Sequence, residues 1–286
     1  MDDALVCPTC GAAYPGTERF CASCGMPLVR PESDAADRAR PLTPARERAR
    51  KVRPQYTEGP LVRVAELLGE PTVLIDPNPG PAAIAAGLVT AARHFGCDVV
   101  VLLDVGGDVL AHGDEPGLAS PLADAVLLAT APALEASGLR VVGAVFGAGC
   151  DGELTPAEVS ERLREVEAAG GGLGATGLDS ATRELIAAAV ETVPTEASAM
   201  ALRCAHGETG RVAIREGRRS VELTATGGTV AFFEPGVAVA TASRLAAAVQ
   251  DAPDLVAADA VLAAMGVRTE LGYERTAQDA GPGRGG

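Results

Sequence analysis

Asp98-Val99-Val100-Val101-Leu102-Leu103-Asp104-Val105-Gly106-Gly107-Asp108 is the stretch that decides the fold. A short Val-rich run closed by acids and glycines is a buried strand, since a buried helix needs ten or more residues. Working outward, residues 72–75 and 140–146 have the same character and are read as strands too. Between the three runs lie Ala-rich segments at 81–95 and 121–137, long enough for helices. A further helix is expected over 155–169, where Thr155-Pro156-Ala157-Glu158 forms a capping box with Pro in the first turn. Strand and helix in alternation predict an α/β fold: a parallel, doubly wound sheet with helices on both faces.

After Asp179 the pattern changes. Helices are expected up to Val190 and over 195–205, then strands at 211–215, 220–224 and 229–233, then helices at 238–249 and 254–265. The late strands either extend the sheet in antiparallel fashion or form a small subdomain. Both readings stay open at this point.

The N-terminus is a different module. Cys7-Pro8-Thr9-Cys10-Gly11 and Cys21-Ala22-Ser23-Cys24-Gly25 repeat one knuckle. Two residues between cysteines let both thiolates of a tight turn face one metal, and the glycine frees the next amides to turn toward sulfur. Cys7, Cys10, Cys21 and Cys24 therefore read as the four ligands of a structural Zn²⁺, in a zinc ribbon over residues 1–28. A stretch rich in proline and alternating charge, residues 29–60, reads as a flexible linker with room for a short helix at 44–51. The α/β domain is expected over 61–275, and 276–286 as a frayed tail.

The 286 residues carry 38 acidic and 24 basic side chains, a net charge of −14. Nine of the basic and eight of the acidic residues fall within residues 1–60, so the domain behind them is strongly acidic. Such a surface repels phosphate backbones and anionic membranes. With aromatics at 3% and no Trp, platforms for stacking bases are also scarce. Met1-Asp2-Asp3 opens without an apolar stretch behind it, which predicts no leader, no membrane span and a cytoplasmic protein. Cys97 and Cys204 are expected as small buried hydrophobes, while Cys150 beside Asp151 is weighed as a nucleophile.

In a doubly wound sheet, ligands bind outside the carboxyl ends of the strands. Three such ends are expected here. Strand 72–75 runs into Asp76-Pro77-Asn78-Pro79-Gly80, strand 98–103 into the segment Asp104 to Gly117, and strand 140–146 into Gly147 to Glu153. Asp104, Asp108, His112 and Asp151 are the candidates for acid–base work. Gly106 and Gly107 let a ligand approach the backbone, and Asp114, Glu115, Ser120, Gly152 and Glu153 line the same loops. The helix opening at Ser120-Pro121 offers free N–H groups to an anion. Glu196 and Ser198, at the start of the helix over 195–205, are weighed as further site residues against a plain capping role. The oxygen-rich set admits Mg²⁺.

Leu103-Asp104-Val105-Gly106-Gly107-Asp108, Ala111-His112-Gly113-Asp114-Glu115-Pro116-Gly117 and Ser120-Pro121-Leu122-Ala123-Asp124-Ala125 follow closely on one another. Asp151-Gly152-Glu153-Leu154, Pro194-Thr195-Glu196-Ala197-Ser198 and Glu270-Leu271-Gly272-Tyr273-Glu274-Arg275 come later. Together these segments resemble the domain of unknown function numbered 1152, over roughly residues 72–275. Members of that family usually open with a strand entering a glycine-rich turn that ends in Asp; here the ribbon and linker stand in its place. The resemblance implies no reaction. The expected function is binding of a small polar metabolite, with room for Mg²⁺, at the carboxylate and glycine loops, with the ribbon docking a protein partner. The alternative is a non-catalytic adaptor whose α/β domain is a degenerate enzyme.

Overall fold

The computed structural model describes residues 5–6, 13–14 and 60–272. By its contacts the chain divides into two units, Met1–Arg63 and Val64–Gly286. In the first, β1 (Leu5–Val6) pairs antiparallel with β2 (Ala13–Tyr14), Leu5 opposite Tyr14 and Val6 opposite Ala13. Cys7, Cys10, Cys21 and Cys24, the linker with its expected helix at 44–51, and the tail from 276 lie outside the described residues.

Helix α1 (Pro60–Leu68) comes before the α/β core, and α2 (Gly80–Phe95) leads into β3 (Val99–Val105). A 3₁₀ turn (Asp108–Leu110) follows, then α3 (Leu122–Leu128), α4 (Ala131–Ala136) and β4 (Arg140–Phe146). Next come α5 (Pro156–Ala168), β5 (Gly172–Gly177), α6 (Ser180–Thr192) and α7 (Glu196–Ala205). Strands β6 (Gly210–Ile214), β7 (Arg219–Leu223) and β8 (Thr229–Phe233) precede α8 (Pro235–Thr241), α9 (Arg244–Val249) and α10 (Leu255–Ala264).

The central sheet runs β3-β4-β8-β5. β3 and β4 are parallel, in register from Val99 opposite Arg140 to Val105 opposite Phe146. β8 inserts antiparallel between β4 and β5, so β5 runs with β3 and β4 and the sheet is mostly parallel. Of the two readings of the late strands, both hold in part: β8 joins the sheet, while β6 and β7 form a separate hairpin. Gly143 in β4 lets the ring of Phe233 lie against the backbone, where a Cβ would collide with it. Val100, Leu102 and Val141 face α2 and α4 on one side. Val105, Phe146 and Val230 face α7 on the other.

Two sequence expectations fail here. Residues 72–75 form no strand; Val73 and Leu74 are 51% and 54% exposed. An apolar run is a strand only if a neighbour pairs with it, and prolines at 71, 77 and 79 hem this one in. Asp76 instead accepts from the amide of Asn78 at 3.0 Å in the turn before α2, so it delivers no carboxylate to the sheet end. The expected single helix over 121–137 breaks at Ala129-Thr130, with Pro132 opening α4. The capping box at Thr155 is present: its hydroxyl accepts from Glu158 N at 3.2 Å, and Glu158 Oε2 accepts from Thr155 N at 2.7 Å. Cys97, expected inside, is exposed.

Candidate functional site

The carboxyl ends of β3 and β4 are stitched together by backbone. Gly106 N donates to Phe146 O at 3.0 Å, and Gly149 N donates to Gly106 O at 2.7 Å. Gly106 and Gly107 adopt φ of 137° and 113°, turning the chain sharply after β3. A Cβ on Gly106 would run into the Asp151 carboxylate, so the glycine makes room for it. Asp104 is held at the turn by Gly107 N, which donates to its Oδ2 at 2.6 Å. Asp108 follows in the 3₁₀ turn, and Asp124 sits in the first turn of α3.

Four aspartates and a glutamate converge on this point. Asp104, Asp108 and Asp124 each offer a carboxylate oxygen, all within 4.8 Å of one another; so do Asp108, Asp151 and Glu153. Asp108 belongs to both groups. It is 6% exposed, and no hydrogen bond or ion pair reaches its side chain among the described residues. Burial and the charges of Asp124, Asp104, Asp151 and Glu153 push its pKa well above the ordinary carboxylate value. Burial, then Asp124 and Asp151, raise Asp104 to about 8. Burial lifts Asp151 to about 7 against a hydrogen bond from the Glu153 amide, and burial with Glu270 and Glu153 lifts Asp124 to about 6.

Glu153 behaves differently. Burial opposes its charge, but donors from the Ser120 hydroxyl and the Ser120 and Ala119 amides, with Arg219 beside it, hold its pKa below the usual value. The two amides donate at 2.9 and 2.8 Å, and Arg219 Nη1 of β7 lies 3.3 Å away. Glu270 accepts from Leu122 N and Ala123 N at 3.0 and 3.1 Å. The N–H groups that the sequence seemed to leave for an anion are thus already taken by two carboxylates. Gly152, with φ of 76°, packs near Val221, Ile214 and the Arg219 stem.

His112, Asp114 and Glu115 form a separate cluster. Glu115 accepts from His112 N and Gly113 N, each at 2.8 Å, and lies 3.7 Å from Arg162 Nε. His112 Nε2 sits 3.0 Å from Glu165 Oε2 and 2.8 Å from Arg162 Nη1. Arg162 also pairs with Glu165. His112 therefore turns to α5 and away from the Asp108 group. Glu196 receives Arg215 N at 2.9 Å on each of its oxygens, tying α7 to the hairpin at a residue whose φ is 51°. No hydrogen bond joins Ser198, in the first turn of α7, to the acids. Cys150 is buried 3.9 Å from Cys204, and burial raises its thiol pKa, which disfavours the thiolate a nucleophile needs.

Asp124, Glu270 and Arg219 were not among the sequence candidates. Asp124 carried a usable signal, an acid in the first turn of a helix that opens just after the acidic loop. Glu270 entered only through a segment that carries the family resemblance, and Arg219, from distant sequence, carried no signal. Chemically, buried oxygen donors with too little positive charge nearby suit a hard divalent cation or a ligand that shares protons with them.

A family model described as a protein of unknown function (DUF1152) matches residues 27–278, and a zinc-ribbon domain model matches residues 6–28. No curated protein and no solved structure matches the chain. Among the described residues no helix is long and apolar enough to cross a membrane. The matched DUF1152 segment takes in the whole acidic site and most of the 286 residues, and the chain belongs to the DUF1152 family, with a zinc-ribbon domain ahead of it.

Proposed function

We propose that this cytoplasmic protein binds a small polar metabolite together with a divalent cation, Mg²⁺ being the expected ion, outside the carboxyl ends of β3 and β4, as a doubly wound sheet does. The observation that carries the reading is Asp108, a largely buried residue whose carboxylate has no hydrogen-bond or ion-pair partner among the described residues and is shared by two groups of carboxylates. A lone buried charge is costly, and a cation at this point would relieve both its desolvation and the repulsion of its neighbours. Asp104, Asp108 and Asp124 would hold the ion, with Asp151 and Glu153 on the far side of Asp108. Mg²⁺ keeps several waters, which leaves positions for a metabolite hydroxyl or carboxylate. Gly106 leaves room for the Asp151 carboxylate and Gly107 for the Val159 side chain, so both glycines serve the packing of the site. A carboxyl that stays protonated near neutral pH beside an ionised one supplies an acid and a base, which suits hydrolytic or group-transfer chemistry.

At the N-terminus, Cys7, Cys10, Cys21 and Cys24 would hold one structural Zn²⁺, a reading supported by the zinc-ribbon domain model that matches residues 6–28. With all four positions filled by sulfur, the ion has no open site for catalysis, and the ribbon serves to dock a protein partner. Purified protein should contain one zinc per chain, and Cys24→Ser should lose it.

The site is tested by melting curves with Mg²⁺, Mn²⁺ and a metabolite panel. A ligand at a hundred times its Kd stabilises the native state by about 2.7 kcal/mol. Asp108→Asn and Asp151→Asn should abolish that response. A wild type that responds to nothing, together with an Asp108→Asn variant destabilised by about 1 kcal/mol as for a lost turn residue, would leave the adaptor reading in its place.

A further inference from the structure

The five acids at the carboxyl ends of β3 and β4 do not gather round one point. Their oxygens fall into two sets, Asp104 with Asp108 and Asp124, and Asp108 with Asp151 and Glu153, each set within 4.8 Å. Oxygens on opposite sides of one Mg²⁺ lie about 4.2 Å apart, so each set matches the reach of one ion. Asp108 is the member common to both. It is 6% exposed, and its carboxylate has no hydrogen-bond or ion-pair partner among the described residues, so both of its oxygens are open to a cation.

Its neighbours keep room for a cation as well. A carboxylate has about four lone-pair positions, and Asp104 and Asp151 each spend at most two of them on backbone amides. Glu153 spends three, on the amides of Ala119 and Ser120 and on the Ser120 hydroxyl. Arg219 Nη1 lies 3.3 Å from Glu153 Oε1 but makes no hydrogen bond, so the fourth position stays open. Charge points to the same count. With all five carboxylates ionised, Arg219 is the one guanidinium paired with the group among the described residues. The deficit that remains is halved by one divalent ion and removed by two. An ion in the first set alone leaves Asp151 without an ion partner, and an ion in the second alone leaves Asp104 and Asp124 so.

We propose that this edge of the sheet holds two divalent cations of the Mg²⁺ or Mn²⁺ class, bridged by the Asp108 carboxylate. One ion sits on Asp104, Asp108 and Asp124, the other on Asp108, Asp151 and Glu153. The proposal rests on the reading of these acids as a cation site, and goes beyond it in the number of ions and in what they accept. Two ions that share a carboxylate stand roughly 3.5–4 Å apart. At that spacing two oxygens of one ligand group settle one on each ion. The pair therefore selects a metabolite that carries an oxyanion, with two oxygens on one atom as in a carboxylate or a phosphate, over one that offers a lone hydroxyl.

The test is a Mn²⁺ titration of the full-length, zinc-loaded chain, followed by calorimetry and electron paramagnetic resonance. Two Mn²⁺ should bind tightly per chain, and the spectrum should show the closely spaced hyperfine lines of an exchange-coupled pair. Thiolates prefer Zn²⁺, so the ribbon takes no part. Exposed acids elsewhere bind Mn²⁺ singly and give no exchange-coupled signal. Asp108→Asn should lose that signal, while Asp124→Asn should keep one uncoupled Mn²⁺. With both ions bound, acetate and inorganic phosphate, added separately, should alter the pair's spectrum, and the one that acts at lower concentration names the oxyanion. One uncoupled Mn²⁺ per wild-type chain overturns the pair and leaves the single-ion reading standing. No tightly bound Mn²⁺ overturns both. A pair that survives Asp108→Asn overturns the bridge, and a pair that neither anion perturbs overturns the ligand class. The wild-type count and spectrum decide the pair even where a variant fails to fold.

Discussion

The segment after β3 feeds two polar clusters that differ in one respect. At Glu115, every demand of a buried carboxylate is met: two backbone amides donate to it and Arg162 stands beside it. His112 and Glu165 complete that network with Arg162. At Asp108, four residues upstream of His112, a similarly buried residue receives no hydrogen bond on its carboxylate among the described residues. Net charge separates the two clusters as well. The Glu115 cluster carries a guanidinium among its acids, while in the Asp108 cluster Arg219 pairs with Glu153 and acts on Asp151 only at longer range. A satisfied polar network stabilises a fold by itself; an unsatisfied one persists where something outside the chain completes it.

The largest expected effect breaks the satisfied cluster. Glu115→Ala would leave two loop amides without their acceptor and remove the carboxylate nearest Arg162 Nε, and should cost about 3 kcal/mol in chemical denaturation. If Glu115→Ala costs no more than a surface substitution, the loop is held by something else and the contrast between the clusters fails.

The next effect is on pH dependence. Carboxyls whose folded pKa lies above the unfolded value near 4 bind more protons in the native state. Their contribution to stability is full below pH 4 and is lost as pH rises through about 6 for Asp124, about 7 for Asp151 and about 8 for Asp104. The metal-free protein should therefore lose stability as pH rises from about 4 to about 8 and level off above that, at up to about 1.4 kcal/mol per pH unit for each extra proton the native state holds. Mg²⁺ competes with those protons, so its stabilising effect should grow over the same range. A flat profile in wild-type protein would mean the acids ionise freely and are not crowded.

What the sequence made legible divides along the same line. β8 reads correctly because Val230, Phe232 and Phe233 mark a strand and its neighbours pair with it. Residues 72–75 look as good on paper and fail, because a strand is a property of a pair and their partner is not written locally. β5 was missed for the opposite reason: Gly172-Leu173-Gly174-Ala175-Thr176-Gly177 has no strand preference of its own and is held in the sheet by β8. In the site, Asp104, Asp108 and Asp151 were legible because glycines at strand ends announce a turn and the acids sit beside them. The separation of His112 from them was not, because only the packing of α5 against the loop decides where the imidazole points. Asp124 and Glu270 meet across 146 positions of sequence, and no local pattern foretells that.

The smallest effect has the unusual sign. In the metal-free protein Asp108→Asn removes a buried charge that nothing compensates, and the amide is nearly the same size. The desolvation cost and the repulsion from Asp104, Asp124 and Asp151 vanish with it, while no hydrogen bond is lost among the described residues. The melting temperature at pH 8 should therefore rise or stay level, by an amount worth up to about 1 kcal/mol. The gain should shrink as the pH falls, because protonation of the carboxyl makes the two side chains alike in charge. Glu115→Gln should move the other way at both pH values, because a carboxylate accepting two amides and facing a guanidinium is replaced by a neutral amide. If both substitutions destabilise the metal-free protein equally, Asp108 is a structural residue with a partner, and the acidic cluster loses its claim to be a site.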